Sequence, residues 1–188
     1  MSATPSLFDD PPAGPHGFAY GAELITAAEE RALIERFSSL PFAPFDFRGF
    51  QGNRRTVAFG SRYDFTRSLM KPADPVPNWL DPIRTTAATW AGLSSGDLVQ
   101  ALITEYAPGA GIGWHRDRPE YGVVLGVSFA SSCVLRMRRR EDDRWARAAI
   151  PLEPRSIYRL TGDARDLWQH RITPGDALRY SVTFRTLR

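Results

Sequence analysis

The chain has 188 residues and a mass of 21.0 kDa, enough for one domain with a substantial core. Its hydrophobic fraction of 43% is ordinary for a globular protein, and no apolar run approaches the roughly 20 residues that span a bilayer. The net charge of +3 permits polyanion binding without requiring it, and a single cysteine, Cys133, excludes internal disulfides and suits a reducing cytoplasm.

Residues 1–17 carry Pro5, Pro11, Pro12, Gly14 and Pro15 and read as a disordered or loosely docked tail, without the basic start and apolar stretch of a secretory signal. Phe18-Ala19-Tyr20 predicts a short strand. Thr26 and Glu29 form a capping-box pattern, and Leu33, Ile34 and Phe37 follow at helical spacing, so a helix is expected over about 27–38. Residues 41–50 read as an ordered loop or edge strand. Arg54 to Gly60 and Tyr63 to Phe65 suggest a hairpin or flap with exposed aromatics, and the three prolines of 71–77 demand a loop. Asn78 is a candidate cap for a second helix, with Leu80, Ile83, Ala87 and Trp90 along one face and Gly92 as its stop.

From Asp97 the pattern turns to strands, expected at 98–106, 123–129, 133–139, 147–151, 156–160, 168–172 and 179–185. Turn chemistry separates them, as in Ala107-Pro108-Gly109 and Thr173-Pro174-Gly175-Asp176. Two helices followed by about seven strands imply an α+β protein, a closed or nearly closed β-sandwich with helices packed on it.

The chemistry concentrates in few residues. Only three histidines are present, and two of them, His115 and His170, accompany Asp117 in a His-x-Asp plus distant His pattern. Two positions apart on an extended segment, His115 and Asp117 share a face. Two imidazoles and one carboxylate bind one face of a ferrous ion and leave three coordination positions open; zinc is the rival metal. Near His170 the run Arg179-Tyr180-Ser181-Val182-Thr183-Phe184-Arg185 places two arginines on one side of a strand, with Val182 and Phe184 on the other. Inward-facing arginines need an anionic partner, and a dicarboxylate cosubstrate would supply it.

Residues 102–117, Leu-Ile-Thr-Glu-Tyr-Ala-Pro-Gly-Ala-Gly-Ile-Gly-Trp-His-Arg-Asp, together with 179–185, resemble the corresponding segments of the AlkB family of iron(II)- and 2-oxoglutarate-dependent dioxygenases. The likeness covers roughly residues 18–188. It implies a double-stranded β-helix (a jelly-roll, cupin-like) over about 97–188, N-terminal helices packed on one sheet, and a substrate-facing flap at about 48–68. His115, Asp117 and His170 would be the iron ligands. Tyr106 and Arg179 would bind the distal carboxylate of 2-oxoglutarate, and Arg185 would sit near the end that chelates iron. Thr104 and Ser181 stand where the best-known members carry asparagines that bond the cosubstrate, and both keep a hydroxyl able to donate and accept.

The implied reaction couples dioxygen and decarboxylation of 2-oxoglutarate to oxidation of a substrate C–H bond. On an N-methyl carbon it releases formaldehyde. The leading substrate is an N-alkylated base of DNA or RNA, flipped into a pocket in repair or regulation. Tyr63, Phe65 and Trp114 are candidate stacking residues. Arg54, Arg55, Arg62 and Arg67 are candidate phosphate contacts, as are Arg136, Arg138, Arg139 and Arg140, although Arg138 to Arg144 reads equally as a solvated hairpin tip. A protein or small-molecule substrate, and a non-catalytic nucleic-acid-binding module, are the alternatives. A cytoplasmic monomer with no membrane partner is expected.

Overall fold

The computed structural model describes residues 14–47, 50–64 and 69–188, with the side chains of 45–52 and 62–70 outside that description. The first half of the chain runs through β1 (Phe18–Gly21), α1 (Ala27–Ser38), β2 (Ala43–Phe47), β3 (Phe50–Phe59), β4 (Ser61–Asp64), β5 (Leu69–Pro72) and α2 (Asp81–Ala91). The second half holds β6 (Gln100–Tyr106), β7 (Ile112–His115), β8 (Tyr121–Phe129), β9 (Cys133–Glu141), β10 (Arg144–Leu152), β11 (Ile157–Leu160), α3 (Gly162–Asp166), β12 (Gln169–Ile172) and β13 (Arg179–Leu187). No helix among the described residues is long and apolar enough to cross a membrane.

Local chemistry sets the helices. Thr26 accepts from the Glu29 amide at 3.2 Å while Glu29 accepts from the Thr26 amide at 2.8 Å, so α1 starts where the capping box requires. Asn78 opens a short 3-10 turn (Asn78–Leu80) instead of capping α2, which carries Pro82 in its first turn. There the missing amide costs nothing. Gly92 ends α2 with φ 70°, the left-handed conformation that favours glycine.

Two sheets face each other. The larger has the order β1-β11-β8-β13-β6-β3-β2, the smaller β10-β9-β12-β7, and β4 pairs with β5. Every register in them is antiparallel, which gives the jelly-roll expected of a double-stranded β-helix. The helices cover the outer face of the larger sheet. Phe37, Leu80, Ile83 and Ala87 pack there on Ile103, Val127, Val182 and Phe184. Phe37 meets Phe129 edge-on at 5.2 Å, and truncating so buried a ring costs about 3–5 kcal/mol. A second apolar cluster, including Leu135, Met137, Ile150 and Ile172, belongs to the inner face of the smaller sheet.

Two differences from the sequence expectation matter for function. The expected flap of about 48–68 is in part a strand of the larger sheet, because Arg55 to Phe59 pair with β6. β7 was not expected at all. It forms the edge of the smaller sheet and carries His115. Residues 16 and 17 are docked, their carbonyls accepting from Ala164 and Thr161 at 2.9 Å. The tail expectation for 1–13, and the flap residues 48–49 and 65–68 including Phe65, lie outside the described residues.

Candidate active site

The site grows from strand alternation and one bulge. Ile172 pairs with Ile112 and His170 pairs with His115, so Gly113 and Trp114 of β7 oppose Arg171 alone on β12. The extra residue turns His115 inward although Ile112 already faces in. The two imidazoles then lie 4.3 Å apart, centre to centre. Asp117 follows on the segment after β7, and its Oδ2 is 3.5 Å from Nε2 of His170. Ligand atoms of His115, Asp117 and His170 all lie within 4.8 Å of one another. Nδ1 of His115 is 2.9 Å from the carbonyl of Gly113, a partner that can only accept. The ring proton therefore sits on Nδ1 and leaves the Nε2 lone pair free.

Protonation suits a metal. Burial pushes the His170 pKa down to about 3, helped by His115, Arg185 and Arg165 and opposed by Asp117. Burial also lowers His115, against Asp117 and the Gly113 carbonyl. Burial works against ionisation of Asp117, but Arg185 and the two imidazoles outweigh it and hold the carboxyl well below the usual range. Two neutral imidazoles and one carboxylate at neutral pH are a donor set that needs no deprotonation to take up a divalent ion.

Two buried arginines hold the carboxylate in place. Arg185 donates from Nε and Nη2 to Oδ1 of Asp117 at 2.8 and 2.6 Å, and from Nη1 to Gln100 at 2.8 Å. Arg165 bonds the main chain behind it, to the carbonyls of Asp117 at 3.3 Å, Tyr121 at 2.8 Å and Arg118. Nothing in the sequence marked Arg165. It is one of several arginines, and only the fold brings α3 behind the ligand loop.

A second buried cation stands on β13, the strand that also carries Arg185. Arg179 is 5% exposed, pairs across the sheet with Tyr106, and stands 5.0 Å over its ring. Its Nε donates to Ser128 at 3.1 Å, while Nη1 is buried with no partner. A buried guanidinium with an orphan N–H is costly unless an anion occupies the space before it. Tyr106, Cys133 and Arg179 line a small cavity there. Ser181 pairs with Thr104 on one side and Ser128 on the other, and Thr104 pairs with Thr56. The expected hydroxyls thus form one row across four strands, in which Ser128 and Thr56 were missed.

Two substrate-facing expectations, Arg55 and Trp114, are not met at this site. Arg55 points to the helix side of β3, where it pairs with Glu105 at 2.6 Å and lies over Phe42. By alternation its neighbour Arg54 faces the inner side, close enough to Tyr106, Arg185 and His115 to act on them electrostatically. Trp114 adjoins His115 on β7 and so projects from the opposite, outer face, where Arg138 and Arg171 cover its ring. The side chain of Tyr63 lies outside the described residues.

Comparison with known proteins agrees with this geometry. The sequence profile of the 2OG-Fe(II) oxygenase superfamily matches residues 30–185, and the chain belongs to that superfamily. Its centre accordingly uses iron(II), 2-oxoglutarate and dioxygen, with His115, Asp117 and His170 as a fitting iron site.

Within the superfamily the chain is AlkB-like. It is 25% identical over 167 residues to the uncharacterized protein L905 of Acanthamoeba polyphaga mimivirus, covering 85% of this chain and 74% of that protein. It is 24% identical to the alkylated DNA repair protein ALKBH8 homolog of Arabidopsis thaliana (80% of this chain, 49% of that one). It is also 26% identical to the mouse tRNA (carboxymethyluridine(34)-5-O)-methyltransferase ALKBH8 (85% of this chain, 24% of that one). The chain thus spans at most about half the length of these two ALKBH8 relatives. The solved structure of OsALKBH1 shares the fold, with a TM-score of 0.70 over 95% of this chain and 98% of that one at 14% identity.

Proposed function

We propose that this protein removes alkyl groups oxidatively from nitrogen atoms of nucleic-acid bases, releasing the aldehyde, formaldehyde in the case of a methyl group. The carrying observation is the His115, Asp117, His170 cluster, with Arg179, a buried cation bearing an unpaired N–H, on the same strand as the Arg185 that bonds Asp117. With iron(II) and 2-oxoglutarate bound, such a centre couples cosubstrate decarboxylation to insertion of one oxygen atom of dioxygen into a substrate C–H bond.

The protein's own work is positioning. Arg179, with Tyr106 beneath it and Ser128 at its Nε, holds the far carboxylate of the cosubstrate in a charge-assisted fork. Thr104 and Ser181 offer hydroxyls along its length. Arg185 and Arg165 fix Asp117 and leave its second oxygen free, so that it would be available to ligate the ion. Arg54, on the inner side of β3, meets the incoming polyanion. Support for a nucleic-acid substrate comes from that cation at the site and from relatives whose names refer to alkylated DNA repair and tRNA.

The test is a panel of N-methylated DNA, RNA and peptides assayed for formaldehyde and succinate together. Coupled release of both from a methylated oligonucleotide supports the reading. Coupled release from peptides alone contradicts it.

A further inference from the structure

The outer face of the smaller sheet takes no part in the site just described, yet its composition is one-sided. Alternation sends Leu135, Met137, Ile150 and His170 inward and Arg136, Arg138, Arg147 and Arg171 outward. Arg147 pairs directly opposite Arg138, and Arg171 directly opposite Arg136. Directly opposed like charges destabilise a sheet, so two such pairs side by side work against folding.

Several arginines elsewhere are ion-paired. Arg55 meets Glu105, Arg155 meets Glu23, Arg185 meets Asp117, and Arg139 meets Asp163. Among the described residues none of the four outer arginines is in an ion pair. Two indoles hold two of them, Arg138 and Arg171. The Arg138 guanidinium lies 4.2 Å from the Trp114 ring and 4.4 Å from the Trp145 ring, with its Nε on Gln169 at 2.8 Å, and Arg171 lies 4.8 Å from Trp114. Stacking fixes these forks in advance, so an anion arriving at them costs little further rotamer entropy.

The geometry points to a second nucleic-acid contact on this face, where Arg136, Arg138, Arg147 and Arg171 hold the phosphodiester backbone of a single strand whose target base enters the site. This rests on the nucleic-acid reading of the substrate. The two surfaces are one strand apart, because His115 and Trp114 are neighbours on the edge strand β7 and face opposite ways. A chain leaving the mouth of the site reaches the outer face by turning over that edge. A single strand can make the turn, whereas a duplex, stiff over about 150 base pairs, cannot. The face suits phosphates better than a lipid surface, since four arginines stand on it and guanidinium groups stack on both of its tryptophans.

The test uses an unmodified, fluorescently labelled single strand of about 20 nucleotides and reads anisotropy over a range of salt. Arg136 and Arg147 are both exposed, and the double substitution Arg136→Ala/Arg147→Ala leaves the stacked pairs alone. If each neutralises one phosphate, the slope of log affinity against log salt falls by about 1.4, and binding weakens several-fold at moderate salt. The melting temperature should hold or rise, because repulsion is relieved. A purely structural role would lower it.

An unchanged slope and affinity overturn the proposal, as does binding to phosphatidylserine vesicles with none to the oligonucleotide. The two readings fail separately. Formaldehyde release from methylated strands with an unmoved slope removes the outer contact and keeps the substrate. A slope that depends on Arg136 and Arg147, with no formaldehyde from any methylated nucleic acid, removes the substrate and keeps the contact.

Discussion

Both donors that Arg185 aims at Asp117, Nε at 2.8 Å and Nη2 at 2.6 Å, converge on Oδ1 alone, and Oδ2 is left facing His170 at 3.5 Å. The arginine therefore sets which oxygen of the carboxylate is offered to a metal. Arg185→Lys keeps the charge but loses the fork, and metal affinity should fall about 10–100-fold in a calorimetric Mn(II) titration. Arg185→Ala strands a buried ionised carboxylate and should cost about 3–5 kcal/mol of stability in the metal-free protein, read by urea unfolding. Unchanged metal affinity in Arg185→Lys would leave it no positioning role.

In the proposed scheme Arg179 acts on the cosubstrate instead of the metal. Arg179→Ala should leave Mn(II) affinity nearly unchanged while raising the 2-oxoglutarate requirement. Truncating one partner of a buried charge pair costs about 2–5 kcal/mol, which is roughly thirtyfold or more in affinity. Steady-state succinate formation against 2-oxoglutarate concentration measures it.

Cys133 reports on the same cavity. Burial raises its thiol pKa, with the nearby Arg179 opposing. Thiol reagents should therefore label it slowly at neutral pH and faster as pH rises. Because Cys133 and Arg179 line one cavity, 2-oxoglutarate should slow the labelling further. Labelling indifferent to 2-oxoglutarate would move the cosubstrate elsewhere.

Neighbouring arginines on β3 should behave oppositely. Arg54→Ala should raise KM for the nucleic-acid substrate roughly tenfold, the worth of one hydrogen bond to a charged group, with little change in the 2-oxoglutarate KM. Arg55→Ala should leave both KM values alone and cost about 1 kcal/mol of stability, because its half-exposed guanidinium serves the Glu105 and Tyr180 network. Kinetics and thermal melts of the two variants separate these effects.

Much of this was legible in the sequence where a local rule fixes the outcome. The Thr26 and Glu29 cap dictates the start of α1, and alternating runs predict β6 and β8 to β13 to within a few residues. β7 escaped because Gly111 and Gly113 break its pattern and its bulge leaves no regular alternation to count. The choice between Arg54 and Arg55 needed the register of β3 against β6, a tertiary fact with no trace in spacing. Ser128 is one hydroxyl in an apolar run, and Arg165 is one arginine among many. Trp114 is different: adjacency to an inward histidine on a strand already sends it outward, once β7 is recognised.

Iron(II) bound per chain, measured by anaerobic equilibrium dialysis of the wild type and of His115→Ala, Asp117→Asn and His170→Ala, tests the metal centre most directly. The expected result is about one ion per chain in the wild type and at least a hundredfold weaker binding in each folded variant. Stoichiometric, undiminished binding by any one of the three would contradict the account.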